Sequence, residues 1–135
     1  MTTVTSVYLG ELRVESEHLA SSVKMITDAP IDNNGKGASF SPTDCVATSL
    51  ATCMLTVMGI AARNRNIDIT GSKASVTKVM ASNPRRITKI GVVLTMRSDG
   101  SKDDNQQLER VGTACPVAKS LHPDIEQDIL FKWEH

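Results

Sequence analysis

A chain of 135 residues is sized for one domain over residues 1–135, able to bury about two thirds of its unfolded surface without disulfide staples. Lys plus Arg and Asp plus Glu both count 15 with the signs interspersed, and aromatic residues make up only 3%, which excludes the basic footprint and stacking platform of a nucleic-acid binder. The first twenty residues hold no charged segment followed by an apolar run and a small-residue cleavage site, so a cytoplasmic location is expected.

Thr3 to Leu9 is β-branched and aromatic enough for a strand, and Gly10-Glu11 turns the chain back. Leu12, Val14 and Ser16 then alternate with Arg13, Glu15 and Glu17, the period of a strand with one wet face. Ser22 to Thr27 reads as a third strand. Asp28 to Phe40 is a loop rich in Pro, Asn and Gly. Its Gly35-Lys36-Gly37 stands just before a helix start and raises the idea of a phosphate loop. The GxxxxGK spacing is absent and no strand runs into it, so a surface loop is expected.

The organising stretch is SPTDCVATSLATCMLTVMGIAARNRN, residues 41–66. Ser41 is a helix N-cap, Pro42 suits the first helical position, and Asp44 supplies an acid three residues after the cap. No charge follows until Arg63. A helix over Pro42 to Arg65 spans about 36 Å, and its apolar or small residues predict burial on every side. The uncharged run from Cys45 to Ala62 also has the length of a membrane span. Thr48, Ser49, Thr52, Thr56 and Gly59 and the strand-like remainder favour a buried helix, and no membrane partner is expected.

Ile69 to Ala81 reads as a strand, Asn83-Pro84 as a turn, and Ile90, Val92, Leu94 and Met96 alternate along the clearest strand of the chain. The two should pair as a hairpin. Ser101 and Asp104 then open a helix with Leu108, Val111 and Cys115 on one stripe, and Pro116 ends it, leaving Cys115 at or beside a helix N-cap. Ile125, Ile129, Phe131 and Trp133 line a last strand. The order βββ-α-ββ-α-β indicates an α+β fold with a largely antiparallel sheet around the long helix. One sheet does not cover so apolar a helix, which implies a homodimer with a large apolar interface.

Three cysteines in a reducing compartment serve catalysis, redox sensing or core filling rather than a permanent framework. Cys45 and Cys53 lie eight positions apart on one helix, about 12 Å along its axis, whereas a disulfide needs Cα atoms within about 7 Å. Cys115 is therefore the one intramolecular partner open to either. Buried free thiols commonly act as small hydrophobes, and that reading suits Cys45 best. A reactive thiol needs a cation, a helix start or a donor. Mid-helix Cys53 gains little from the helix dipole, whereas Cys115 sits by the start at Pro116. His18, His122 and His135 show no metal spacing, and no GxSxG elbow or catalytic carboxylate pair stands out.

Four segments together resemble the OsmC/Ohr family, the osmotically inducible protein C and organic hydroperoxide resistance proteins. They are ITDAP at 26–30, FSPTDCVATSLATCMLTVMGIAA at 40–62, ITGSKASVTKVM at 69–80 and CPVAKSLHP at 115–123. The resemblance implies an OsmC-like intertwined homodimer and reduction of organic hydroperoxides by thiols, with no cofactor, metal or flavin. It places Cys53 as the peroxide-attacking cysteine and Cys115 as the resolving one. An external dithiol reductant is the implied second partner. The family sets a glutamate directly after the helix-opening proline, where this chain has Thr43, with Asp44 one place on. It also holds the thiolate with an N-terminal arginine, for which Arg13 is the nearest candidate, Gly10 standing at the ungapped position. Thr43 keeps open a second expectation, a non-enzymatic dimeric redox-sensing or small apolar ligand-binding protein of the same fold.

Overall fold

A computed structural model describes residues 1–134. Met1–Val46 and the chain from Ala47 onward form two compact units. The first is an antiparallel sheet of β1 (Val4–Gly10), β2 (Arg13–His18) and β3 (Lys24–Asp28), in that spatial order. Gly10, Glu11 and Leu12 take φ of 87°, 55° and 62° at the first turn. Three left-handed residues in succession break the alternation, so the second strand begins at Arg13 rather than Leu12.

The loop after β3 is held by its own backbone. Gly37 N–H donates to Ala29 O at 3.1 Å and Gly35 N–H to Pro30 O at 2.9 Å. A Cβ on Gly35 would collide with the Ala29 carbonyl, so only glycine fits. Both glycine amides are spent inside the loop, which removes the donors a phosphate loop would need.

Helix α1 (Pro42–Asn64) starts in the first unit and runs on through the second. Ala47, Leu50, Ala51, Met54, Met58 and Ala62 fall on one buried stripe, at the spacing of a helix that packs one face. The expected burial on every side is corrected within this chain: Ile60 is 58% exposed and Val46 38%. By length and composition α1 also passes as a membrane span. Six of its side chains nevertheless join Ile90, Val92, Leu94 and Met96 in one core cluster.

Those four residues belong to β5 (Arg86–Arg97), the centre of a second sheet ordered β4 (Lys73–Ala81), β5, β6 (Glu126–Glu134). β4 and β5 form the expected antiparallel hairpin, whereas β6 runs parallel to β5. Parallel neighbours need a crossover, supplied here by α2 (Lys102–Thr113) and α3 (Pro116–Ser120). Ser101 and Asp104 form the full capping box of α2. Its buried residues are Asn105, Leu108 and Gly112, so the stripe is rotated from the expected one and Val111 is 38% exposed. The cause is close approach to α1: a Cβ on Gly112 would lie 2.8 Å from Met58 Sδ.

Candidate functional site

The start of α1 is built by residues 41–44. Ser41 Oγ accepts the Asp44 N–H at 3.1 Å, and Asp44 Oδ2 accepts the Ser41 N–H at 3.0 Å. Two otherwise unpaired donors are thereby satisfied. Thr43 Oγ1 lies 3.2 Å from the Ser41 hydroxyl. Asp44 and Thr43 thus both serve the cap, and the carboxylate expected as a doubtful site member has a structural duty. Cys45 follows one residue later, half-buried. Burial pushes its thiol up, and the Asp44 carboxylate pushes it further, so the helix start does not make Cys45 a ready nucleophile.

Arg13 is brought to Asp28. The two are Cα partners in the β2–β3 register, with Nε 3.8 Å from Oδ2. The Asp28 side chain is fully buried and that of Arg13 is 35% exposed. Asp28 Oδ2 also accepts the Ala38 N–H at 3.0 Å, which ties the loop to the strand. The Nε contact exceeds hydrogen-bond length, and neither Arg13 Nε nor Asp28 Oδ1 has a hydrogen-bond partner among the described residues. The pair is therefore Coulombic, and Asp28 was not legible as the partner because strand register is not written in the local sequence.

The second and third cysteines of the chain come together. Cys53, half-buried on α1, packs against the core that contains Cys115, which is 1% exposed. The two lie close enough for Cys53 to act electrostatically on the Cys115 thiol. Cys115 stands at the N-cap of α3 rather than on α2, which ends at Thr113. Pro116 has no N–H to extend α2 and its fixed φ suits the first position of a new helix. Cys115 accordingly takes an extended conformation, φ −65° and ψ 156°, and its Sγ accepts the Ala118 N–H at 3.4 Å. Burial is the main cause that pushes the Cys115 thiol up; the Ala118 N–H pulls it back, and the nearby Cys53 pushes it up again. A dithiol in which one sulfur is sealed and the other partly open can react at the open sulfur and close on the sealed one. The approach of the pair and the Ala118 donor were beyond the reach of spacing alone, although CPV, a cysteine before an N1 proline, signalled the cap.

The remaining candidates lie elsewhere. His18 Nδ1 contacts Ser21 Oγ at 2.6 Å and His122 Nδ1 accepts the Asp124 N–H at 3.0 Å, both at exposed turns. His135 lies outside the described residues. No group of three or more His, Cys, Asp or Glu side chains able to hold a metal occurs among the described residues. A cleft of about 760 Å³ lies at the far end of α1, lined in part by Leu55, Gly59, Arg63, Ile67 and Asp68, and neither thiol borders it.

Comparison with known proteins follows the same lines. The family described as OsmC-like protein matches residues 35–129, a span that includes both thiols. A Psychrobacter arcticus protein, whose name assigns it provisionally to osmotic stress induction and detoxification, is 49% identical. That match covers 97% of this chain and 96% of the other, with a TM-score of 0.93. An OsmC-like protein from Mycoplasma pneumoniae has a TM-score of 0.78 at 18% identity, over 98% of this chain and 96% of its own. An organic hydroperoxide resistance protein from Legionella pneumophila has 0.71 at 16%, over the same shares, and like the Mycoplasma protein attests to the fold alone. No functionally curated protein is matched by the sequence. The α+β architecture, the family match over the thiol-bearing segments and the near-identical fold of a relative sharing half its residues place this chain in the OsmC/Ohr family.

Proposed function

We propose that this protein is a thiol-dependent peroxidase for organic hydroperoxides. The observation that carries the reading is the proximity of Cys53, packed against the core, to Cys115 within that core. Exposure assigns the roles, because a peroxide can approach half-buried Cys53 but not a sulfur that is 1% exposed. The Cys53 thiolate attacks one peroxide oxygen, the O–O bond breaks, and the departing alkoxide takes a proton and leaves as an alcohol. Cys53 is now a sulfenic acid. The Cys115 sulfur attacks it, hydroxide leaves and becomes water, and the disulfide is returned to two thiols by an external dithiol, itself oxidised.

Arg13 enters this reading as the cation that would support the thiolate, with Asp28 as its anchor in this chain. Asp44 enters only through the helix cap. A homodimer is supported by the first unit, where Val7, Tyr8 and Leu9 of β1 are 61%, 63% and 52% exposed, and by the exposed Ile60 of α1. A cytoplasmic location would supply the dithiol reductant.

Thiol counting after one equivalent of an organic hydroperoxide tests the reading. Two thiols per chain should disappear in the parent, and Cys53→Ser should consume no peroxide. Consumption by Cys53→Ser at the parental rate would remove Cys53 from the reaction.

One observation favours a second reading as an apolar ligand-binding protein, namely the cleft beside Leu55 and Ile67, which is large enough for a small molecule. It predicts saturable binding of an apolar dye together with slow peroxide turnover, and rapid turnover without dye binding would rule it out.

A further inference from the structure

Two arginines stand at the end of α1 in different surroundings. Arg65 Nη1 lies 3.3 Å from Asp104 Oδ1, an ion pair that offsets its charge. Arg63 borders the cleft of about 760 Å³ and has no ion pair or side-chain hydrogen bond among the described residues. A basic side chain in the last turn of a helix ordinarily serves its last carbonyls. Here backbone amides serve them instead. Ala62 O accepts the N–H of Arg65 at 3.0 Å and of Ile67 at 2.8 Å, and Arg63 O accepts that of Asn66 at 3.2 Å. Asn66, at φ 56°, turns the chain off the helix in the left-handed conformation. Arg63 is spared that duty and brings an uncommitted set of N–H donors to the cleft.

The rest of the lining consists of an apolar surface and a single acid. Leu55, Ile60, Ile67 and Ile69 supply the apolar part. Asp68 is the acid, and it is already engaged: its Oδ1 accepts the Thr70 N–H at 2.9 Å, and hydrogen bonds from Thr70 hold its carboxyl below the ordinary range. Two opposite charges thus border one apolar surface, the negative one bound to its own loop and the positive one unspent. A ligand gains most by meeting the unspent charge, because a guanidinium matches an acid group with parallel N–H···O bonds. A neutral apolar molecule leaves that charge unused, and a cation is repelled by it.

Resting on the ligand-binding reading of this cleft, we propose that it takes an amphipathic organic anion, with the acid group of the ligand on Arg63 and its apolar body against Leu55, Ile60, Ile67 and Ile69. The volume lies within the range of sites that enclose a small organic molecule. Neither thiol borders the cleft, so its occupation is separate from the chemistry at sulfur. Binding is reversible and makes no covalent bond.

Calorimetry on the full chain with octanoate, octan-1-ol and octyltrimethylammonium, which share a chain length and differ in charge, tests the proposal. Octanoate should saturate at one per chain and bind about tenfold more tightly than the alcohol, the scale of a charge-assisted hydrogen-bonded pair at a solvated site. Arg63→Gln should abolish that preference and leave the alcohol unchanged. Arg110→Gln, which removes an equal charge outside the cleft, should leave the preference in place. Arg63 is exposed, so its replacement does not disturb the core, and added salt should weaken octanoate but not the alcohol in the parent. An alcohol that binds as well as octanoate overturns the proposal, as does an octanoate affinity unchanged in Arg63→Gln. Tighter binding of octyltrimethylammonium would assign the charge preference to Asp68 and overturn it too. In each of these cases saturable binding of the apolar dye leaves the ligand-binding reading standing, whereas loss of dye binding with all three probes silent removes both.

Discussion

The two sheets of this chain each have three strands and solve burial in opposite ways. In the second, Ile90, Val92, Leu94 and Met96 of β5 are wholly buried, because α1 and α2 contribute Leu50, Met54, Met58 and Leu108 to the same core. In the first, Val4, Val7, Tyr8 and Leu9 of β1 and Met25 of β3 are all exposed. The same strand-forming residue types thus end in hydrocarbon in one sheet and at the surface in the other. Alternation predicts a strand; only a packed partner converts it into a core. The first sheet rests more on its ladder, on ion pairs such as Lys24 with Glu15 and Glu17, and on the buried Asp28.

A matched pair of truncations gives the largest contrast. Leu94→Ala should cost about 2–5 kcal/mol of unfolding free energy, the range for emptying a packed core site. Val7→Ala, which removes a side chain 61% exposed in the monomer, should cost less than about 0.5 kcal/mol if that face stays open. Urea unfolding at several protein concentrations checks both. A Val7→Ala loss above 1 kcal/mol that grows with protein concentration would mean a second copy covers the face, sharpening the dimer proposal rather than the fold.

Asp28→Ala comes next. It removes the acceptor for the Ala38 N–H and the counter-charge of Arg13, and a lost buried acceptor typically costs about 1–3 kcal/mol. Because Arg13 is 35% exposed, water can solvate its charge, which keeps the loss toward the lower part of that range. Hydrogen exchange should quicken first at Ala38 and along β3. If it quickens equally in the second unit, the two units unfold as one and the contrast between them fails.

How far the sequence carried is visible in these same residues. The start of α1 was legible because a Ser, Pro and acid in the order found at 41, 42 and 44 satisfy the first amides of a helix locally. The alternation of β5 and the cap at Ser101 were legible for the same reason, since each is decided within a few residues. The largely antiparallel pairing was legible, and the parallel setting of β6 is the exception, implicit only in the helices that precede it. The rotated stripe on α2 was not legible, because Gly112 faces inward through what Met58 allows rather than through its own hydrophobicity. The candidate site was half legible. Cys53 and Cys115 stand out by type and by the motifs around them, whereas their approach, the Ala118 donor and the Arg13–Asp28 pairing depend on segments distant in sequence.

Gly112→Ala probes the core beside the thiols with a smaller effect. Alanine gains about 1 kcal/mol of helix propensity over glycine, while forcing a methyl group to within 2.8 Å of Met58 Sδ costs about 1–3 kcal/mol in a packed interior. Met58 is fully buried, so it has little room to turn aside, and the net should be a loss of about 1 kcal/mol by urea midpoint. A stabilised variant would mean that the helix interface has slack.

The smallest expected effect is on acid stability, at the cap of α2. Asp104 is half-buried, and hydrogen bonds from the Ser101 backbone and hydroxyl, with a further contribution from Arg65, hold its carboxyl below the ordinary value of 3.8. A carboxylate whose folded value is depressed contributes stability that is complete above its unfolded value and disappears as pH falls through the folded one. The contribution should therefore be intact at neutral pH and fade below about pH 4. Asp104→Asn, which cannot ionise, should flatten the pH dependence in that window while leaving the slope above pH 5 unchanged. Solvent still reaches and screens this group, so the change should be slight beside that of Leu94→Ala. An Asp104→Asn variant with the parental acid profile would assign acid sensitivity to other carboxylates.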